Sequence, residues 1–167
     1  MKYDWIFFDA DETLFHFDSF KGMQLMFSRF GIEFSKQDYH EYQQVNLPLW
    51  VDYQNGVIDA YQLKHTRFEI WADKLETTTA ELNSAFLSAM ADICTLLPGA
   101  RELIESLHGK VNMGIITNGF TELQAIRLEK MGMTDYFKHV IISEEVGIAK
   151  PDSGIFSHAH RVVGEPE

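Results

Sequence analysis

Tyr3 to Phe8 is apolar except for Asp4, and the run stops abruptly at Asp9. A run that short, closed by polar residues, predicts a buried strand rather than a helix. Val111–Thr117 and His139–Ser143 repeat the pattern. Between those two runs, Leu123, Ile126 and Leu128–Met131 fall on one side of a helix, with Thr121 as candidate N-cap and Gly132 as its stop. A further helix precedes the second strand, with Pro98 in its first turn and Leu103, Ile104 and Leu107 at helical spacing. Asp152 caps a last helix carrying Ile155, Phe156, Ala159 and Val163. Strand, helix, strand at this spacing predicts a right-handed parallel crossover, and the alternation as a whole predicts an open α/β sheet.

From 16 to 94 the alternation stops. The segment carries helical spacing throughout and no convincing strand. Phe20, Met23, Phe27 and Phe30 share one face, ended by Gly31. Ser35 caps a second helix through Tyr39 and Tyr42, Asp59 a third with Leu63, Phe68 and Trp71, and Thr79 opens a fourth with Leu82, Phe86 and Met90. Four apolar stripes of this kind bury one another as a bundle. The expected organisation is therefore a discontinuous core, 1–15 and 95–167, interrupted by a helical unit, 16–94. The aromatics Phe20, Phe27, Trp50, Tyr53, Phe68 and Trp71 are assigned mainly to the bundle core. The proline-broken stretch Asn46–Asp52 is read as a turn, in which Asn46 and Trp50 are candidates for recognising a ligand.

Composition narrows the function. Hydrophobic residues make up 46% of the 167, enough for a packed core. The formal net charge of −11 repels polyanions, so nucleic-acid polymers and anionic membranes are poor partners, whereas one small phosphate ester in a local positive site is compatible. A single cysteine, Cys94, forms no internal disulfide and belongs to no zinc-ligand cluster; it is read as a small apolar filler. With no signal-peptide pattern at the start and no apolar run of membrane length, a cytoplasmic protein is expected.

In open α/β sheets, ligands sit at the carboxyl ends of strands. Three polar signals fall there: Asp9 and Asp11, Thr117-Asn118-Gly119, and Lys150-Pro151. In this order they resemble the motifs of the haloacid dehalogenase superfamily: a DxDx[TV] sequence (Asp9 to Thr13), a Thr closing an apolar strand (Thr117), and a Lys before Pro (Lys150). The helical insertion after the first motif is similar to that family's cap, on a Rossmann-like core. Within the superfamily, "DWIFFDADETLF", "PLWVDYQNG", "GIITNGFTELQ" and "ISEEVGIAKP" are similar to bacterial pyrimidine 5′-nucleotidases.

The resemblance implies an aspartyl-phosphate mechanism. Asp9 would be the nucleophile and Asp11 the acid that protonates the leaving alkoxide, then the base that activates water. Thr117, Asn118 and Gly119 would bind the phosphoryl group. Lys150, held extended by Pro151, would neutralise Asp9 and phosphate. Two unit charges about 4 Å apart interact by roughly 4 kcal/mol at an effective dielectric near 20, so Asp9 facing a phosphate dianion is opposed by about twice that. Lys150 offsets only part, and a hard divalent cation, Mg²⁺, is expected to supply the rest. By resemblance its ligands are the Asp9 carboxylate, the Asp11 backbone carbonyl and an acid from a fourth motif. That motif, a strand ending in Gly-Asp, is expected beyond Glu167, with Gly164–Glu167 leading toward it, so the core is expected to lack its carboxy-terminal part. Glu144 and Glu145 do not replace the motif, and Glu12 is read as solvated. The expected substrate is a nucleoside 5′-monophosphate, pyrimidine preferred. Alternatives are a phosphatase of another small phosphate ester, an inert chain lacking the fourth motif, or a phospho-accepting switch. Against a switch stand the separated acids and the long helical insertion; against a dehalogenase stands Asp11.

Overall fold

A computed structural model describes residues 3–164. The expectation placed on Gly164–Glu167 falls, from position 165 onward, outside the described residues. In chain order the elements are β1 (Trp5–Phe8), β2 (Phe15–His16), α1 (Ser19–Arg29), α2 (Lys36–Gln54), α3 (Ala60–Thr66), α4 (Glu69–Leu75), α5 (Thr79–Asp92), β3 (Thr95–Leu96), α6 (Ala100–Leu107), β4 (Asn112–Thr117), α7 (Thr121–Lys130), β5 (His139–Ile142), α8 (Ser143–Val146) and α9 (Ser153–Val162). They divide into two compact units, Met1–Phe17 with Cys94–Glu167, and Asp18–Ile93.

The first unit is built on a parallel sheet in the order β1-β4-β5. Phe8 pairs with Ile115, and Thr117 with Ile142, so all three strands release their chains at the same end. Alternate residues of β4 face opposite sides. Ile115 joins Ile104, Leu107, Leu128, Met133 and Phe137 on one face, while Ile116 joins Ile141, Ile155 and Ala159 on the other. Gly114 sits in mid-strand because a Cβ there would lie 2.4 Å from the Phe7 ring. Strand β1 was expected to be buried, yet Trp5–Phe8 are all half-buried. Its only ladder partner among the described residues is β4, which leaves its other edge unpaired. The short antiparallel pair β2–β3, too short to show as an apolar run, joins the points where the chain leaves this unit and returns to it. Cys94, beside β3, is buried in the unit's core, and that burial pushes its thiol pKa up.

The second unit is helical, with five helices where four were expected. The third candidate splits at Arg67-Phe68. There the Phe68 backbone leaves helical geometry at φ −113° and ψ 1°, and the buried Arg67 guanidinium donates to Asn83. Capping boxes start α2 (Ser35 with Asp38), α3 (Asp59 with Gln62) and α5 (Thr78 with Glu81), each satisfying two otherwise unpaired N–H donors. Phe27 stacks on Phe34 at 4.6 Å and meets Trp71 at 4.6 Å, while Phe68 meets Phe86 edge-on at 6.0 Å. Thus Phe27, Phe68 and Trp71 belong to the core as expected.

The turn expected at Asn46–Asp52 does not exist. α2 runs through it with Pro48 inside. An interior proline costs about 3 kcal/mol because it lacks an N–H and crowds the carbonyl four residues back. Pro48 and Gln44 are both exposed, so water can satisfy the orphaned carbonyl and the helix continues.

Candidate active site

The expected site residues of the first unit leave the sheet at one end. Asp9 follows β1, Thr117 ends β4, and Lys150 follows β5 and α8. Lys150 Nζ donates to Asp9 Oδ1 at 2.6 Å and to the Ile116 carbonyl at 2.9 Å. The Asp9 side chain is 47% exposed and that of Lys150 22%, so the pair is open to solvent and to a ligand. Asp9 Oδ1 also accepts the Ala10 N–H at 2.8 Å, while Oδ2 accepts nothing from the described residues.

Asn118 holds Lys150 in place by a two-point clamp. Its Nδ2 donates to the Lys150 carbonyl at 2.8 Å and its Oδ1 accepts the Lys150 N–H at 2.7 Å. The Asn118 side chain thereby joins the loops that follow β4 and α8. Thr117 is buried, and its hydroxyl oxygen accepts the Gly119 N–H at 3.0 Å, forming a tight turn. Gly119 has no room for a side chain, since a Cβ would lie 2.3 Å from Gln124 Nε2.

The loop after β1 is wound back on itself. Leu14 and Phe15 N–H groups donate to the Ala10 carbonyl, and Glu12 N–H to the Phe15 carbonyl. Glu12 sits in the left-handed region at φ +55°, an uncommon setting for a residue with a side chain. It is exposed, as expected, and its carboxylate accepts the Phe17 N–H at 2.5 Å and lies 3.3 Å from His16 Nδ1. These bonds close the turn that carries Asp11.

Asp11 is held by a residue the sequence reading did not select. Arg127 Nη1 donates to Asp11 Oδ1 at 2.5 Å. Arg127 and Gln124 lie on the inward face of α7 with Leu123 and Leu128, whereas Ile126, assigned to the apolar face, is exposed. The available signal was the polar pair Gln124 and Arg127 at i, i+3, flanked by Leu123 and Leu128. Thr121, expected as the N-cap of α7, is its first residue, and its N–H donates to the Glu144 carboxylate at 2.9 Å. A carboxylate from α8 thus caps α7 from outside the helix, something local sequence does not announce. Pro98 likewise lies before the N-cap Gly99 of α6 rather than in the first turn.

The described residues offer hard oxygen donors suited to a cation such as Mg²⁺: Asp9 Oδ2 and the Asp11 carbonyl, which accepts no hydrogen bond from them. Among the described residues no group of three or more His, Cys, Asp or Glu is placed to hold a metal. Asn46 and Trp50 lie on α2. Asn46 is buried, accepting from Tyr42 Oη and donating to Gln43, and Trp50 packs edge-on against Tyr53 at 5.8 Å. The proline-broken turn that singled them out is absent. No helix of the described residues is long and apolar enough to cross a membrane.

Residues 3–167 match the haloacid dehalogenase-like hydrolases. The chain belongs to that family. Among curated haloacid dehalogenase-like relatives, pyrimidine 5′-nucleotidase YjjG of Escherichia coli is 56% identical over all 167 residues, which span 74% of YjjG. Pyrimidine 5′-nucleotidase PynA of Streptococcus pneumoniae is 30% identical over 92% of this chain and 67% of its own. Among solved structures, the HAD-hydrolase YfnB of Bacillus subtilis, crystallised with magnesium, superposes with a TM-score of 0.81 at 25% identity, over 95% of this chain and 73% of YfnB. The L-2-haloacid dehalogenase of Xanthobacter autotrophicus shares the fold, with a TM-score of 0.66 at 18% identity, over 98% of this chain and 66% of the dehalogenase. The α/β core with its parallel sheet is thus the fold of this family of hydrolases.

Proposed function

We propose that the protein is a Mg²⁺-dependent phosphomonoesterase working through an aspartyl-phosphate on Asp9, with pyrimidine nucleoside 5′-monophosphates as preferred substrates. The observation that carries this reading is the Lys150–Asp9 contact of 2.6 Å at the strand end that also bears Asp11 and Thr117. A carboxylate beside an ammonium and open to solvent can receive an electrophilic phosphorus while the cation offsets the charge of phosphate. The substrate class is drawn from the 56% identity to YjjG over the full chain.

The reaction balances with these groups. A carboxylate oxygen of Asp9 forms a bond to phosphorus as the ester P–O bond breaks. The departing nucleoside oxygen takes the proton of the Asp11 carboxyl. Water then attacks phosphorus and yields its proton to the Asp11 carboxylate, the Asp9–phosphorus bond breaks, and inorganic phosphate leaves. Lys150 neutralises the Asp9 carboxylate and the phosphoryl oxygens throughout. The Asn118 backbone N–H and the Thr117 hydroxyl, whose oxygen accepts the Gly119 N–H, orient the phosphoryl group. Asp9 and the Asp11 carbonyl would hold Mg²⁺, which when bound supplies positive charge against the phosphoryl oxygens.

The test is phosphate release from a panel of nucleoside 5′-monophosphates and sugar phosphates, with and without Mg²⁺. Release is expected to need Mg²⁺ and to be fastest from pyrimidine nucleotides. Asp9→Asn should abolish it, and activity near that of the unaltered protein would overturn the nucleophile assignment.

A further inference from the structure

We propose that Arg127, oriented by Gln124, is the positioning residue of the Asp11 acid–base group; the inference rests on the phosphatase reading given above. Arg127 is 1% exposed, and a guanidinium that deep must be matched by acceptors. Its acceptors divide its fork in two. Nε and Nη2 donate to Gln124 Oε1 at 3.0 and 2.5 Å, and Nη1 donates to Asp11 Oδ1. The plane is steadied from one side by the Phe15 ring, 4.4 Å from Cζ. Phe15 belongs to the same wound loop as Asp11, so helix, loop and carboxylate are fixed against one another.

Two consequences follow from donor chemistry alone. Arginine has five N–H donors and accepts nothing. The Oδ1 lone pair facing Arg127 therefore cannot carry a proton, and because Oδ1 is already engaged by the guanidinium, the proton of neutral Asp11 is favoured on Oδ2. The guanidinium selects which oxygen of Asp11 delivers and collects the proton. Gln124 in turn must present its carbonyl oxygen to Arg127, which fixes its Nε2 toward Gly119. That buried Nε2 has no hydrogen-bond partner among the described residues, and it stands where a Gly119 side chain would lie. Arg127 thus ties the acid–base carboxylate to Gln124, whose amide packs against Gly119 in the turn assigned to the phosphoryl group. Asn118 separately joins that turn to Lys150 and, through it, to Asp9.

A group that merely staples a loop affects every substrate alike, whereas one that aims a proton donor affects substrates whose leaving group needs a proton. Values of kcat/KM, which report departure of the leaving group, are therefore compared for a pyrimidine nucleoside 5′-monophosphate and for p-nitrophenyl phosphate. The first releases an alkoxide and the second a phenolate that leaves without protonation. General acid catalysis contributes about 10²–10⁴-fold, so Arg127→Met should lower kcat/KM for the nucleotide by at least about a hundredfold and for the aryl ester by under about tenfold. Equal losses on both esters would overturn the positioning role while leaving the phosphatase reading intact. No hydrolysis of either ester by the unaltered protein would overturn both. Should Arg127→Met not fold, Gln124→Met removes the acceptor of two guanidinium bonds and reads the same ratio. A smaller change in the same direction is expected, and an unchanged ratio overturns the proposal.

Discussion

Each unit of the molecule buries one arginine, and the two are surrounded differently. Arg127, in the sheet unit, sets its fork between Gln124 and the carboxylate of Asp11, whose side chain is 31% exposed. Arg67, in the helical unit, donates to the amide oxygen of Asn83 and lies 5.0 and 5.2 Å from the Phe68 and Phe86 rings. Burial pushes the Arg67 pKa down, while the nearby Tyr42 hydroxyl, itself pushed up by burial, acts in the opposite sense. One arginine ends on a carboxylate at an open strand end; the other meets a neutral amide, the Tyr42 hydroxyl and π faces inside a bundle. Burial of a charge therefore does not mark a functional site by itself. What marks it is the exposed, ionisable group at the far end of the network.

The proposed reading puts the chemistry in the sheet unit, and substitutions in the two units can break it. The largest expected effect is on stability. Phe27→Ala, which removes a fully buried ring from against Phe34 and Trp71, should destabilise the helical unit by about 3–5 kcal/mol in denaturant unfolding. In the sheet unit, Lys150→Met should lower kcat/KM by about a thousandfold, or about 4 kcal/mol of transition-state stabilisation. Its melting temperature should hardly move, because Asp9 is half exposed and remains hydrated without its partner. Kinetics and thermal melting of that one variant check both halves of the statement.

Arg67→Met makes the contrast direct. It leaves the buried Asn83 oxygen without that donor and should cost about 1–3 kcal/mol of stability. The ratio of nucleotide to aryl-ester kcat/KM should stay where it is. A shift in that ratio comparable to the one expected of Arg127→Met would erase the distinction between the two arginines.

The smallest effect concerns the helix caps. Hydrogen bonds from the Ser35 side chain and backbone hold Asp38 below the usual carboxylate range, and bonds from Thr77 and Thr78 do the same for Glu81. Folded values lower than unfolded ones mean that the stabilisation is present above the ordinary carboxylate pKa and is lost as pH falls through the folded values, below about pH 4. Ser35→Ala should cost about 1 kcal/mol at neutral pH, and that difference should shrink in acid melts.

Much of this was legible in the sequence, for physical reasons that differ by region. The three strands were readable because short apolar runs closed by polar residues have few other structures open to them. Asp9, Asp11 and Thr117 stood out because they lie at or just past the end of such a run, and Lys150 because, in the loop after the third run, it completes an order that resembles the family's motifs. Arg127 was not, because its partner is 116 positions away and its helix carries polar residues on the inward face. The Pro48 turn was misread because local propensity says that proline ends a helix, while an exposed outer face lets α2 tolerate it. Glu144 capping α7 and Glu12 closing the Asp11 turn belong to the same class, bonds between segments that no local pattern encodes.

The central claim is that Asp9 carries the phosphoryl group during turnover. Rapid acid quenching of the protein turning over a nucleotide labelled in its phosphate, followed by peptide mapping, tests it most directly. The account predicts base-labile label on the peptide containing Asp9, absent from Asp9→Asn. Turnover with no label on the protein, or with label on another residue, would contradict it.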